Sequence, residues 1–162
     1  MTVAALPVRP NADLLTLVQW LSPGFPIGAY AYSHGLEAAI AAGDVADAAA
    51  LQQWVGDVLE HGAGRTDAIL LAHARRPGAD HAAVAALALA LAPSAERLQE
   101  TAELGAALTR ATDALRGTVS PALPFPVALG RAAQALALPP AQVIALALQG
   151  FAAALVSAAV RF

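Results

Sequence analysis

Proline and glycine divide this sequence into segments of helical length, and that punctuation constrains the fold more than any other feature. Breaks fall at Pro23-Gly24, Gly43, Gly62 and Gly64, Pro77-Gly78, Pro93, Gly117 and Pro139-Pro140. Proline removes a helical hydrogen bond, and glycine favours turns and helix ends. Between the breaks, apolar residues recur at helical spacing. Leu14, Leu17, Val18 and Leu21 follow at i, i+3, i+4, i+7 behind a candidate cap, Asn11, with Asp13 near the positive helix end. Leu51, Trp54, Val55, Val58 and Leu59 form a longer stripe behind Asp47, ended by Gly62 and Gly64. Thr66 can cap a helix over 67–75, and Asp80 one reaching Leu91. Ser94 opens the best-formed helix, Ala95 to about Leu115, with Glu96, Glu100 and Glu103 early and Arg110 and Arg116 late, as the helix dipole prefers. Pro126 suits the first turn of a helix ending near Leu138, and Pro139-Pro140 start the last one. No segment alternates as a strand would. The expected fold is all-α: a single helical-bundle domain of about seven to eight helices over residues 11–162, with 1–10 a flexible N-terminal tail.

Composition matters where it excludes. Hydrophobic residues make up 58% of the 162 and charged residues only 13%. Either a membrane span or a surface buried between subunits accounts for that surplus. The stretch from Pro139 to Val160 carries no charge and is long enough to cross a bilayer. It lacks an aromatic belt and a flanking basic cluster, so a buried or intersubunit helix and a twofold dimer are expected, with no membrane. Met1 to Pro10 lacks a long apolar run behind a basic start, so a cytoplasmic location is expected. The absence of cysteine excludes disulfides, thiolate metal sites and cysteine nucleophiles. A net charge of −3 without a basic run argues against nucleic acid. No phosphate-binding G-x-x-x-x-G-K-[ST] loop occurs, so the chain is not expected to bind nucleotide itself.

Ser22 to Glu37 stands apart, with two prolines, three glycines, both tyrosines and a histidine in one short segment. Pro26 and Gly28 keep the backbone out of a helix until about Ala29 and fix the loop shape, and a helix is expected from Ala29 to Ala42. Gly35 would then sit inside that helix at a cost of about 1 kcal/mol relative to alanine, which points to close approach by another backbone. Tyr30 and Tyr32 serve either core packing or contact across an interface. Ala31-Tyr32-Ser33-His34-Gly35 imitates a nucleophile elbow, so a Ser33-dependent hydrolase is one alternative, although no preceding strand is predicted. The four histidines, His34, His61, His73 and His81, show no metal-binding spacing, and no metal site is expected. A histidine near a dimer axis could still supply two imidazoles, with His34 the candidate. Arg97 and Glu100, at i, i+3, form either an exposed ion pair or part of a docking surface.

Pro26-Ile27-Gly28-Ala29-Tyr30-Ala31-Tyr32-Ser33-His34-Gly35-Leu36-Glu37 resembles the signature of the urease accessory protein UreF family. Arg97-Leu98-Gln99-Glu100-Thr101-Ala102-Glu103-Leu104-Gly105 is similar to a second pattern of that family. Pro124 to Gly130 looks like a third, with Pro124 where His is common, and Val156 to Arg161 like a fourth. The resemblance implies a non-catalytic chaperone that forms a homodimer and binds a second accessory protein, UreD or UreH. Through that complex it recruits the GTPase UreG and delivers nickel to apo-urease. Nickel is then handled by the complex, with no cofactor bound tightly by this chain. The implied partner-binding or motif residues are Pro26, Gly28, Tyr30, Tyr32, Ser33, His34, Gly35, Leu36, Glu37, Arg97 and Glu100. The family continues past the point matching Phe162 with a C-terminal tail, and without it this chain is expected to fold and dimerise but to bind its partner weakly and to fail to recruit the GTPase. A helical membrane or interaction protein unrelated to urease is the remaining alternative.

Overall fold

The computed structural model describes residues 11–28 and 32–161. Eight helices lie among them: α1 (Ala12–Trp20), α2 (Leu36–Ala42), α3 (Ala48–Glu60), α4 (Ala63–Ala74), α5 (His81–Ala90), α6 (Ala95–Arg116), α7 (Phe125–Ala133) and α8 (Pro140–Ala159). No strand occurs among the described residues. The all-α bundle expected from the punctuation is therefore the observed fold.

Side-chain caps set four of the eight helix starts. Asn11 accepts from the backbone N–H groups of Asp13 and Leu14, both at 3.1 Å, Asp47 from Ala50 at 2.8 Å, Asp80 from Ala82 and Ala83, and Ser94 from Arg97 at 3.2 Å. Each bond satisfies an N–H that the first helical turn leaves without a partner.

Packing sets the rest. α4 and α7 form the centre, with α6 against α7 and α8 against α2, α3 and α4. Leu17, Leu108, Leu129 and Val143 are fully buried where α1, α6, α7 and α8 converge. Burying a leucine of this kind contributes about 1.5–3 kcal/mol. Two backbone approaches make the centre tight. A methyl group at Gly105 on α6 would lie 1.9 Å from the Leu123 carbonyl oxygen, and one at Gly130 on α7 would lie 2.7 Å from the Ala74 Cβ on α4.

Four expectations are corrected. The signature helix starts at Leu36 rather than Ala29, and Gly35 is its cap at φ +82°, outside the helix. A Cβ there would meet nothing within 4 Å, so the glycine answers a left-handed backbone and not a close neighbour. α4 starts at Ala63 instead of 67, with Gly64 in its first turn. A Cβ on Gly64 would lie 2.7 Å from Leu59 Cα, so this glycine lets α3 and α4 meet in a tight corner instead of ending α3. α7 stops at Ala133 because the next residues bond elsewhere: Arg75 donates to the carbonyls of Leu136 and Leu138, and Ala137 N–H to Asp13 at 2.8 Å. α1 buries Leu17 and Trp20, while Val18, placed on the inner stripe by spacing, is 46% exposed.

α8 is long and apolar enough to cross a membrane by length and composition, and 22% of its apolar window is buried in the fold. Its covered face carries Val143, Ala154, Leu155 and Ala158. The expected burial is thus met on one face only.

Candidate functional site

α6 is the platform of the site. Arg97, Glu100 and Glu103 stand three residues apart on it, so their side chains share one face. Glu100 is 6% exposed, although a carboxylate is almost never buried unless paired. It is paired twice. Arg97 Nη1 lies 3.0 Å from Glu100 Oε2, and His34 Nε2 lies 3.1 Å from Oε1. The second guanidinium nitrogen of Arg97 reaches Asp67 Oδ2 on α4. Burial pushes the Asp67 carboxyl above its usual range, and Arg97 opposes that shift.

His34 arrives from the strap that precedes α2. Its ring stands edge-on to Phe151 of α8, centroids 4.7 Å apart at 72°. Its φ is +53°, a left-handed conformation uncommon outside glycine. Two residues earlier, the Tyr32 hydroxyl donates to Glu103 Oε2 at 2.7 Å. That bond pushes the phenol up to about 12. Glu103 is held below the usual glutamate range by hydrogen bonds from Gln99 and from Tyr32.

The strap and the α6 face border a groove of about 640 Å³, lined by Tyr32, Ser33, His34, Glu37, Glu96 and Glu100 among others. Behind them lies an interior cleft of about 80 Å³ walled by Leu71, Leu129, Ile144 and Phe151. The cleft is far smaller than the roughly 300–1,000 Å³ of sites that enclose organic ligands.

The structure brings Tyr32, His34, Arg97 and Glu100 together. Leu36 is fully buried beside Ala39 and Val45, a packing residue. Pro26, Gly35 and Glu37 are exposed, and Gly28 takes φ +77°. Tyr30 lies outside the described residues. Arg97 and Glu100 are neither an exposed pair nor an isolated one: they are the middle of a chain running from Asp67 to His34. The Ser33 hydroxyl makes no hydrogen bond among the described residues, and the neighbouring imidazole is turned to Glu100. With no strand among the described residues and the imidazole engaged by Glu100, the elbow reading finds no support there. Among the described residues, no group of three or more His, Asp or Glu side chains is placed to hold a metal.

Sequence reasoning missed Asp67, Glu103 and Phe151 as members of the site. Glu103 was within reach of it, since it lies inside the second motif, one turn beyond Glu100. The motifs also meet one another. Thr101 Oγ1 accepts from Phe125 N–H at 3.2 Å, and Gly105 abuts residues 123–125, so the second segment seats the third.

Fold and site define a class: an all-α protein whose polar centre is committed to holding its own parts in register, with no nucleophile paired to a base among the described residues. Comparison with known proteins carries this to a family. The UreF family model matches residues 45–162. A urease accessory protein UreF of Cereibacter sphaeroides strain KD131 is 64% identical over 152 residues, covering 94% of this chain and 72% of that protein. One from Roseobacter denitrificans is 55% identical over 163 residues, covering 99% and 73%. One from Jannaschia sp. strain CCS1 is 49% identical over 162 residues, 100% of this chain and 74% of that protein, so its likeness includes the 22–37 stretch. No solved structure matches the chain. The chain belongs to the UreF family of urease accessory proteins, and it is an accessory protein, not an enzyme.

Proposed function

We propose that the chain is a dimeric assembly factor for urease, presenting residues 32–37, held in place by the buried Arg97–Glu100 pair of α6, to a UreD/UreH-type accessory protein. In the family role that complex goes on to recruit a UreG-type GTPase and helps nickel reach apo-urease, the step that the family's C-terminal tail is expected to serve. Nickel is cargo of the complex, and this chain holds no cofactor tightly. The setting is the cytoplasm, with neither nucleic acid nor membrane among its partners. Residues 11–162 form the proposed single helical domain.

The observation that supports this reading is the bond between His34 and Glu100, which joins two family-like segments 66 positions apart. A loop fixed before the partner arrives loses less conformational entropy on binding. Support for a homodimer comes from apolar side chains left outside, among them Leu15, Val18, Val156 and Val160, each more than 40% exposed.

Co-expression of the tagged chain with UreD/UreH-type, UreG-type and urease proteins tests the reading. The accessory partner should co-purify with the wild-type chain and be lost or weakened with Glu37→Ala, a change at an exposed residue of the groove. Failure of the wild-type chain to retain that partner would sink the docking role. A monodisperse monomer in sedimentation at micromolar concentration would remove the dimer.

A further inference from the structure

We infer that Glu103, oriented by Gln99, is a positioning residue for the strap: it fixes Tyr32 and thereby the seating of residues 32–35 on α6. Its functional weight rests on the docking role proposed above, while its structural part stands separately.

The strap has little else to hold it. Its backbone hydrogen bonds are local among the described residues: Leu36 N–H donates to the Ser33 carbonyl at 3.0 Å and Ala39 N–H to Gly35 at 3.1 Å. Attachment to the bundle therefore runs through side chains, namely His34 on Glu100, the His34 ring on Phe151, and Tyr32 on Glu103. The left-handed φ at His34 means that the free backbone would favour other conformations. Both Glu103 oxygens are engaged. Gln99 Nε2 donates to Oε1 at 2.7 Å from one turn earlier, which leaves Oε2 aimed at the Tyr32 hydroxyl. Unlike Glu100, Glu103 is exposed, so its removal strands no buried charge. Glu100 serves the bundle as well as the strap, whereas Glu103 serves the strap.

The test uses Glu103→Ala, Glu103→Gln, Tyr32→Phe and the Glu103→Ala/Tyr32→Phe double variant of the full chain. Amide hydrogen exchange at Leu36, whose N–H is bonded to the Ser33 carbonyl, reports the seating. Glu103→Ala and Tyr32→Phe should each speed it about fivefold to tenfold, the loss of one charge-assisted hydrogen bond at a partly exposed site. The double variant should be no faster than either single one. Glu103→Gln keeps a carbonyl acceptor and should stay within about twofold of wild type. In a Tyr30→Phe background, tyrosinate absorbance at about pH 11 should rise about tenfold in Glu103→Ala as the phenol returns toward its ordinary range. Binding of a UreD/UreH-type partner should weaken in parallel with exchange. Unchanged exchange in Glu103→Ala would overturn the inference whatever the binding result. So would Glu103→Gln binding as poorly as Glu103→Ala with exchange unaltered, because Glu103 would then be a charge contact. Faster exchange in a chain that never binds the partner would instead sustain the positioning role and remove the docking one.

Discussion

His34 and Arg97 divide one carboxylate between them: Glu100 takes His34 Nε2 on Oε1 at 3.1 Å and Arg97 Nη1 on Oε2 at 3.0 Å. With Glu100 buried, truncating it leaves a guanidinium short of an acceptor inside the protein. Glu100→Ala should therefore cost about 3–5 kcal/mol, the usual penalty for breaking a buried ion pair from one side. Urea denaturation measures it. A loss below about 1 kcal/mol, the range of exposed pairs, would mean that water reaches the network.

Two glycines separate backbone strain from steric exclusion. Gly35→Ala should cost about 1–2 kcal/mol, because only the left-handed φ opposes it. Gly105→Ala should cost about 3 kcal/mol or more, since the new methyl would sit 1.9 Å from a backbone oxygen and α6 would have to leave the 123–125 turn. Equal urea midpoints for the two variants would contradict this division.

Alkaline stability should depend on Tyr32. Its folded pKa of about 12 lies above the ordinary tyrosine value of 10.0. A raised pKa contributes stability that is complete below the unfolded value and lost as pH climbs from about 10 to about 12. The chain contains no lysine, so few other groups titrate in this window. Glu103 works at the opposite end: its lowered pKa contributes stability above the ordinary glutamate range, lost as pH falls through the folded value. Urea unfolding of wild type and Tyr32→Phe between about pH 9 and 11.5 checks the alkaline limb, which should flatten in the variant. Parallel curves would show that the Tyr32–Glu103 bond does not persist in solution.

Nickel should pass this chain by when it is alone. It has no cysteine, and the described residues offer no cluster of ligands. Equilibrium dialysis at micromolar nickel should retain well under one equivalent per chain. Stoichiometric retention abolished by His34→Ala would instead place an ion between two copies.

Residues whose partners lie close in sequence were legible. Asn11, Asp47, Asp80 and Ser94 announced their helices because each caps N–H groups two or three positions away. The start of α2 was not legible: residues 32–35 are drawn out of a helix by contacts to Glu100 and Glu103, far along the chain. Tertiary contacts outweighed local preference there. Arg97 and Glu100 could be paired from their spacing, but nothing local showed that the pair would be buried or that Asp67 would join it. Gly64 looked like a stop because spacing cannot reveal that Leu59 lies against it. The UreF motifs were readable as words; their meeting in space was not.

Finally, α6 meets the strap through Glu100 and Glu103 and residues 123–125 through Thr101 and Gly105, all within six residues. One residue inserted there would turn everything beyond it by about 100° and advance it by about 1.5 Å. No single compensating substitution could restore both attachments. The first half of α6 therefore has its residue count locked.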